Sequence, residues 1–185
     1  MKKKGLRISL FVLLIFIIGL IINEYSEKRN YIQAREKMYD ELKEMFADNK
    51  NDFETVVEKL NNVEKIKEEN YIIQKDEARG NTDWKYIYFE KNNFKCSSDE
   101  EIQALLNDNV KLKDSLNKLI DAGIVEHIGL YEVDSEFKID FCINKENMSF
   151  DGMYCYIWYC DYGENDDIEY KTIDDNWYVY IPEHE

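Results

Sequence analysis

The sequence has one proline, seven glycines and two histidines among its 185 residues. The sole proline, Pro182, leaves no proline-rich linker that would divide the chain. The few glycines are explained by turns and helix caps, and none forms a phosphate-binding loop. The motifs Gly-x-Ser-x-Gly and His-Glu-x-x-His are also absent. The sequence therefore predicts no catalytic residue and no cofactor.

Metal ligands are scarce as well. His127 falls in a predicted strand and His184 in the C-terminal tail, so a histidine-rich metal site is not expected. No spacing supports a Cys96–His127 catalytic pair. An acidic segment near the C-terminus lacks the ligand order, central glycine and final glutamate of an EF-hand, and it fits a solvated hairpin loop. Its acids are Asp161, Glu164, Asp166, Asp167 and Glu169.

Positive charge is scarce after the first residues. All 39 acidic residues lie after Ile22, but only 20 of the 24 basic ones do, so this part carries a formal charge of −19. A nucleic-acid-binding protein needs a basic surface, and an anionic lipid surface repels an acidic one. The composition excludes nucleic acid as a partner. A basic protein or a metal ion would complement the charge, although acids also simply keep a surface soluble.

The four cysteines contain no Cys-x-x-Cys pair. Cys142 and Cys155 fall on strands that we expect to be neighbours, so they are the best candidates for a disulfide outside the cytoplasm. Four small buried hydrophobic residues are the alternative, because a domain of this size folds without covalent staples. We favour this alternative.

One long apolar run is present. It covers residues 6–22, with no charge from Ile8 to Ile22 and Ser9 as the one polar side chain in that stretch. As a helix it spans roughly 25 Å, slightly less than a hydrocarbon core of about 30 Å. Arg7 and Tyr25 suit the two interfaces. We predict a membrane anchor over residues 1–23 that contacts the bilayer through residues 6–22.

A cleaved secretory signal is the alternative to an anchor. A cleavage site requires small residues at the first and third positions before the cut, and no such Ala-x-Ala-like site follows the run. Lys2, Lys3, Lys4 and Arg7 precede the run without acids, whereas basic and acidic residues are mixed after it. By the positive-inside rule we expect a single-pass protein with a cytoplasmic N-terminus and an extracytoplasmic domain.

The residues after the anchor predict a helical stalk over residues 24–50. Apolar residues recur seven apart at Tyr25, Ile32, Tyr39 and Phe46, which indicates a helix with one apolar face. A coiled-coil dimer is a further interpretation, but Lys28 and Arg35 occupy its alternate positions. Residues 48–51 are predicted to break the helix, and Asn51 to cap the next one.

The acidic domain over residues 51–185 is predicted to be α+β. A capping box from Ser98 to Glu101 begins a helix that ends at Gly123, and period-two patterns dominate thereafter. Short connections indicate helices packed on an antiparallel β-meander of about five to six strands. The residues from Lys91 to Phe94 are predicted to form a loop. The predicted strands are 71–73, 84–89, 124–131, 137–143, 153–162, 168–173 and 177–181.

The strand over residues 153–162 carries the candidate binding residues. Alternation places Tyr154, Tyr156, Trp158 and Tyr162 on one face, and Trp177 follows nearby. Such rings beside acids suit stacking on sugars or contact with a protein partner. The alternative is an aromatic-rich core between sheet and helices, which we favour.

The leading hypothesis is a membrane-anchored, non-enzymatic binding module whose acidic extracytoplasmic domain contacts a basic protein, as an immunity-type protein does. The alternative is an enzyme that cleaves envelope glycan with two carboxylates near an aromatic cleft, drawn from Asp140, Asp161 and Glu164. A third hypothesis is an assembly factor that acts within a membrane complex through its anchor and stalk.

Overall fold

A computed structural model describes residues 2–75, 84–96, 99–133, 136–144, 154–160 and 170–181, with side chains from Ile18 onwards except that of Tyr170. The chain forms two compact units, Met1–Lys37 and Met38–Glu185. The predicted turns at residues 78–83, 134–135, 145–147 and 163–167 lie outside the described residues, as do Tyr162 and His184. The domain boundaries at residues 23 and 50 stay predictions.

The described elements begin with one long helix and continue with two short helices and eight strands. A single 3₁₀ turn, Glu64–Lys67, follows the long helix, and a π-helical turn, Asn117–Asp121, ends the last helix. The elements are α1 (Lys2–Asn61), β1 (Tyr71–Gln74), β2 (Lys85–Glu90), β3 (Asn93–Cys96), α2 (Glu100–Asn107), α3 (Val110–Leu116), β4 (Val125–Val133), β5 (Glu136–Ile143), β6 (Cys155–Cys160), β7 (Tyr170–Asp174) and β8 (Trp177–Tyr180).

The first unit is helical throughout its described residues. Within the part of the chain whose side chains the structure describes, which begins at Ile18, no helix is both long and apolar enough to cross a bilayer. The predicted anchor at residues 6–22 falls mostly on side chains outside the described part, so it stays a prediction.

The predicted break at residues 48–51 is wrong, because α1 continues without interruption to Asn61. Apolar side chains keep helical spacing across the polar stretch, and Phe46 and Phe53 contact each other with ring centroids 5.6 Å apart. The polar side chains are accommodated on the helix itself, since Asn49 Nδ2 donates to the carbonyl of Met45 at 2.9 Å. Without glycine or proline, tertiary packing overrides the weak helix propensity of Asp and Asn.

The predicted single helix from Ser98 to Gly123 is also wrong. Asn109 interrupts it, because its Oδ1 accepts from the N–H of Leu112 at 3.1 Å and caps a new helix, α3. Asn favours such local bonds over the helix interior. Asp99 caps α2 by accepting from the N–H groups of Glu101 and Ile102 at 3.0 and 3.1 Å. Gly123, with φ of 75°, ends the segment as predicted.

The strands form one sheet in the order β3-β2-β1-β4-β5-β6-β8-β7. The predicted combination of helices with a mainly antiparallel sheet is confirmed, and all described pairs are antiparallel except β1–β2, which is parallel. The prediction of five to six strands is wrong, because the sheet has eight. Residues 93–94, predicted to lie in a loop, instead begin β3, after a two-residue turn in which Lys91 and Asn92 have φ of 50° and 65°. Two left-handed residues in succession are typical of a tight hairpin.

One face of the sheet is buried under the helices, and we call it the inner face. Phe53 of α1 contacts Phe141 of β5 at 4.9 Å between ring centroids, and Phe46 contacts Trp177 of β8 at 4.8 Å. The hydroxyl of Ser115 in α3 donates to Asp52 of α1 at 2.9 Å, which places α3 beside α1. The inner face therefore forms the hydrophobic core. Its strand residues include Tyr71, Ile73, Ile87, Phe89, Ile128, Leu130, Ile139, Phe141, Ile157, Trp177 and Val179, all buried.

Side chains of α2 protect one edge of the sheet. Asn107 accepts from the backbone N–H of Phe94 at 2.8 Å and donates to its carbonyl at 3.0 Å. Gln103 accepts from the N–H of Cys96 at 2.7 Å. These amides take the place of a neighbouring strand, so they satisfy the backbone groups that an edge otherwise presents to other chains.

All four cysteines are buried thiols with no disulfide. The expectation that Cys142 and Cys155 lie on neighbouring strands is confirmed by the pairing of β5 with β6. Cys155 is opposite Ile143, whereas Cys142 is opposite Tyr156, so the two side chains project from different faces. A bond between them is therefore geometrically excluded.

Candidate functional site

The second face of the sheet, which we call the outer face, differs from the inner face in burial and chemistry. Its side chains alternate with those of the core along each strand and are mostly half-buried rather than fully buried. Strand pairing brings them into two adjacent rows. The first row is Tyr86, Ile72, Gly129, Asp140, Trp158, Tyr178 and Thr172, and the second is Tyr88, Gln74, His127, Cys142, Tyr156 and Tyr180.

The aromatic rings of the outer face contact one another. Trp158 lies 5.4 Å from Tyr180 between ring centroids, and Tyr156 lies 6.1 Å from the same tyrosine. On the other side of the sheet centre, Tyr86 and Tyr88 stack at 6.4 Å. Rings of this kind combine a large apolar area with polar tips, which suits the centre of a protein interface.

Asp140 lies in the middle of these rings and is the unusual residue of the face. Its register neighbours are Gly129 on β4 and Trp158 on β6. Its carboxyl group lies against the backbone of Gly129. A Cβ added to Gly129 would come within 2.8 Å of Asp140 Cγ. Only glycine leaves this space open. Oδ1 is buried and has no hydrogen-bond partner in the described part of the chain.

Burial raises the pKa of Asp140 to about 6, because an unsolvated carboxylate is costly. The N–H groups of Gly129 and of Asp140 itself favour the ionised form and lower the pKa, but burial dominates. A carboxyl group with this pKa changes its charge in the mildly acidic range.

The neighbouring polar groups of the outer face are largely uncharged. Burial raises the pKa of Cys142 to about 12, and its thiol pairs with the hydroxyl of Tyr156. Burial also lowers the pKa of His127, which keeps the imidazole neutral near pH 7. Asp140 is therefore the ionisable group that decides the charge at the centre of the rings.

The structure separates the sequence-predicted binding residues. Tyr154, Tyr156 and Trp158 follow the outer-face alternation, with Tyr154 49% exposed. Trp177 lies on the inner face, 3% exposed, and contacts Phe46 and Tyr159 there. Tyr162 lies outside the described residues. The aromatic-core interpretation thus applies to the inner face and the binding-surface interpretation to the outer face, because successive side chains of β6 project to opposite sides of the sheet.

The carboxylates of the enzyme hypothesis are not brought together by the described residues. The register neighbours of Asp140 carry no carboxyl group, and Lys138 and Cys142 flank it along the strand. Asp161 and Glu164 lie outside the described part. Glycoside cleavage requires two carboxyl groups within about 10 Å across a groove. The enzyme remains a hypothesis to which the described geometry adds no second carboxylate.

A shallow acidic pocket of about 420 Å³ opens on the helix side, where α1 ends over β6 and β8. Glu54, Glu58 and Asp175 line it together with the rings of Tyr159 and Trp177. Glu58 pairs with Lys59, whose hydrogen bond lowers the Glu58 pKa. A carboxyl group whose pKa is lowered stays ionised near pH 7, so Glu58 is no proton donor there.

Metal binding finds no support within the described ranges, where no three His, Cys, Asp or Glu side chains converge.

Comparison of the chain with protein-family models, with curated proteins and with solved structures gave no match. The functional interpretation therefore depends on the geometry of the outer face.

Sequence reasoning missed the strand pairing that places Tyr178 and Tyr180 beside Tyr156 and Trp158, and it missed the pair formed by Gly129 and Asp140. The sequence showed the alternating pattern of each strand. It did not show that β6 pairs directly with β8 and that β7, which lies between them in the sequence, is at the edge of the sheet. Gly129, inside a strand pattern, was the available signal, since an interior glycine often marks a close approach of another group.

Proposed function

We propose that this protein is a membrane-tethered, non-enzymatic binding module, and that the outer face of its sheet is the surface that contacts a basic protein partner. The supporting observation is the two-row arrangement of half-buried rings around Asp140, on a sheet whose other face is a complete core. Tyrosine and tryptophan dominate the binding energy of protein interfaces.

The charge of the chain favours the same class of partner. The residues after Ile22 carry a formal charge of −19, which attracts cationic proteins over long distances and accelerates their association. The rings would supply contact area, and Asp140 would supply one negative charge among them. A basic side chain placed there would gain both an ion pair and contact with aromatic faces.

The tether in this proposal is the apolar run over residues 6–22. The described end of this run has Ile18, Leu20, Ile21 and Ile22 exposed by 46, 55, 60 and 62%. Successive helix positions differ by about 100°, so these four side chains spread over about 200° of the helix circumference, wider than the stripe of about 100° on a helix that packs against one core. An apolar face of this width suits lipid better than a single partner helix.

Membrane fractionation tests the tether. The full chain is expected to remain with membranes after an alkaline carbonate wash, whereas a chain that begins at Glu24 is expected to be released. Protease added to intact cells should digest the domain if it is extracytoplasmic. Recovery of a full-length, uncleaved chain in the released fraction would contradict the tether.

Site-specific crosslinking tests the binding surface. A photoreactive amino acid at position 154 is expected to give a discrete adduct with one partner in intact cells. The same group at Ala104, exposed on α2, is the matched control and is expected to give none. Adducts that form equally from both positions would contradict an outer-face interface.

A further inference from the structure

Asp140 is held in a position that suits a neutral carboxyl group. Oδ1 is buried without a hydrogen-bond partner in the described residues, and the group lies against the Cα of Gly129. The N–H groups of Gly129 and of Asp140 itself compensate a negative charge there in part, but burial outweighs them, so the position favours the neutral acid over the carboxylate. The charged form therefore gains free energy by turning away from Gly129 towards water.

No charged side chain contributes to the pKa of Asp140, which is set by burial and by two backbone N–H groups. On β4 the titratable groups two residues on either side of Gly129 are Tyr131 and His127. His127 is neutral near pH 7 because burial lowers its pKa. On β5 the flanking groups are Lys138 and the Cys142 thiol. From β6 and β8 come the indole of Trp158 and the hydroxyls of Tyr156, Tyr178 and Tyr180. β1 contributes Ile72 and Gln74, which carry no charge.

We propose that Asp140 is a proton switch of the outer face: the protonated carboxyl group stays folded over Gly129, and the ionised group turns out among the rings, where it binds a cationic side chain of the partner. This inference rests on the proposed function and adds its regulation. Affinity for a basic partner then rises as Asp140 loses its proton. By linkage, bound cation favours the ionised form to the same extent.

Trp158 is the natural reporter of this change, because it is the register neighbour of Asp140 on β6. NMR spectra of the full chain in lipid nanodiscs resolve one indole N–H signal for each tryptophan, and Trp158→Phe assigns the signal of interest. The carboxyl carbon of Asp140 reports the proton directly. Both signals are expected to shift with one midpoint near pH 6, displaced from the ordinary 3.8 of an aspartate.

The matched variant is Asp140→Asn, which keeps the shape of the side chain without its charge. Its Trp158 signal is expected to lack the midpoint near pH 6. If this variant does not fold, the pH titration of the Asp140 carboxyl carbon in the wild-type chain tests the switch by itself. A midpoint near 4, or a Trp158 signal that does not follow Asp140, would overturn the switch.

Arginine methyl ester serves as the cationic probe. It is expected to shift the Trp158 signal at about pH 8, with a much smaller effect at about pH 4.5, and the pH dependence should vanish in Asp140→Asn. Equal shifts at both pH values would contradict proton control of cation binding. The result of the crosslinking from position 154 does not depend on these titrations. Failure of the proposed partner binding and failure of the switch are therefore distinguishable.

Discussion

Gly129 on β4 and Asp140 on β5 face each other, and the carboxyl group of Asp140 occupies the space that a side chain at position 129 would need. A Cβ at position 129 would lie 2.8 Å from Asp140 Cγ and would overlap Oδ1. The pair is thus a steric unit at the centre of the outer face, and its two members are expected to show strong coupling when they are changed together.

Gly129→Ala is expected to destabilise the domain by about 1–3 kcal/mol, because the new methyl group must displace the carboxyl group of Asp140. In an Asp140→Ala background the same substitution should be neutral or slightly stabilising, since alanine suits a strand better than glycine. Urea denaturation of the four proteins measures the coupling. Additive effects would contradict the steric contact.

Asp140→Asn is expected to change how stability depends on pH. Burial raises the pKa of Asp140 from 3.8 to about 6, so the folded chain keeps a proton that the unfolded chain has lost. The free energy of unfolding contributed by this group therefore falls as pH rises from about 4 to about 6, by at most about 3 kcal/mol. Above that range the loss is complete.

The difference between wild type and Asp140→Asn isolates this effect. His127, whose pKa is lowered, contributes stability that falls as pH drops below about 6.5, but it is present in both proteins and cancels. Thermal or urea denaturation at a series of pH values gives the difference. A stability difference that is constant between about pH 4 and 7 would show that Asp140 has an ordinary pKa.

Two tryptophans on opposite faces should behave differently. Trp177→Ala is expected to cost about 3–5 kcal/mol, because its ring packs in the core against Phe46 and Phe141. Trp158→Ala should cost less, since the half-buried ring lies on the outer face, but it should abolish the crosslink from position 154. Similar losses of stability in both variants would contradict the assignment of faces.

The edge of β3 gives a separate test of the fold. Asn107→Ala removes two hydrogen bonds to Phe94, so the free energy of unfolding is expected to fall by about 1–2 kcal/mol. The exposed edge is also expected to promote aggregation, which light scattering measures. Asn93→Ala is the matched control, because its side chain is exposed on the same strand and bonds only locally. Equal effects would contradict the role of Asn107 as an edge cap.

The sequence predicted much of the fold wherever a strong local pattern was present. Strands β4 to β8 appeared within a few residues of their predicted bounds, and Gly123 ended its helix as expected. The errors arose where local preference and tertiary packing disagreed. The polar residues 48–51 remain helical because Phe46 and Phe53 on either side are both buried, and Asn109 ends a helix that the apolar spacing alone would continue.

The candidate site was less predictable than the fold. Alternation assigned Tyr156 and Trp158 to one face of β6, but it did not identify their neighbours Tyr178 and Tyr180, which come from a later strand. The role of Asp140 depends on the register that brings it against Gly129. Register is a property of pairs of strands, so no single segment of sequence contains it.

The central claim is that the outer face, rather than the helix side, contacts a partner in intact cells. Photocrosslinking from position 154 beside the control position 104 tests it most directly. We predict a single adduct from position 154 that disappears with Trp158→Ala, and none from position 104. Adducts from position 104 alone, or adducts from position 154 that survive Trp158→Ala unchanged, would contradict the account.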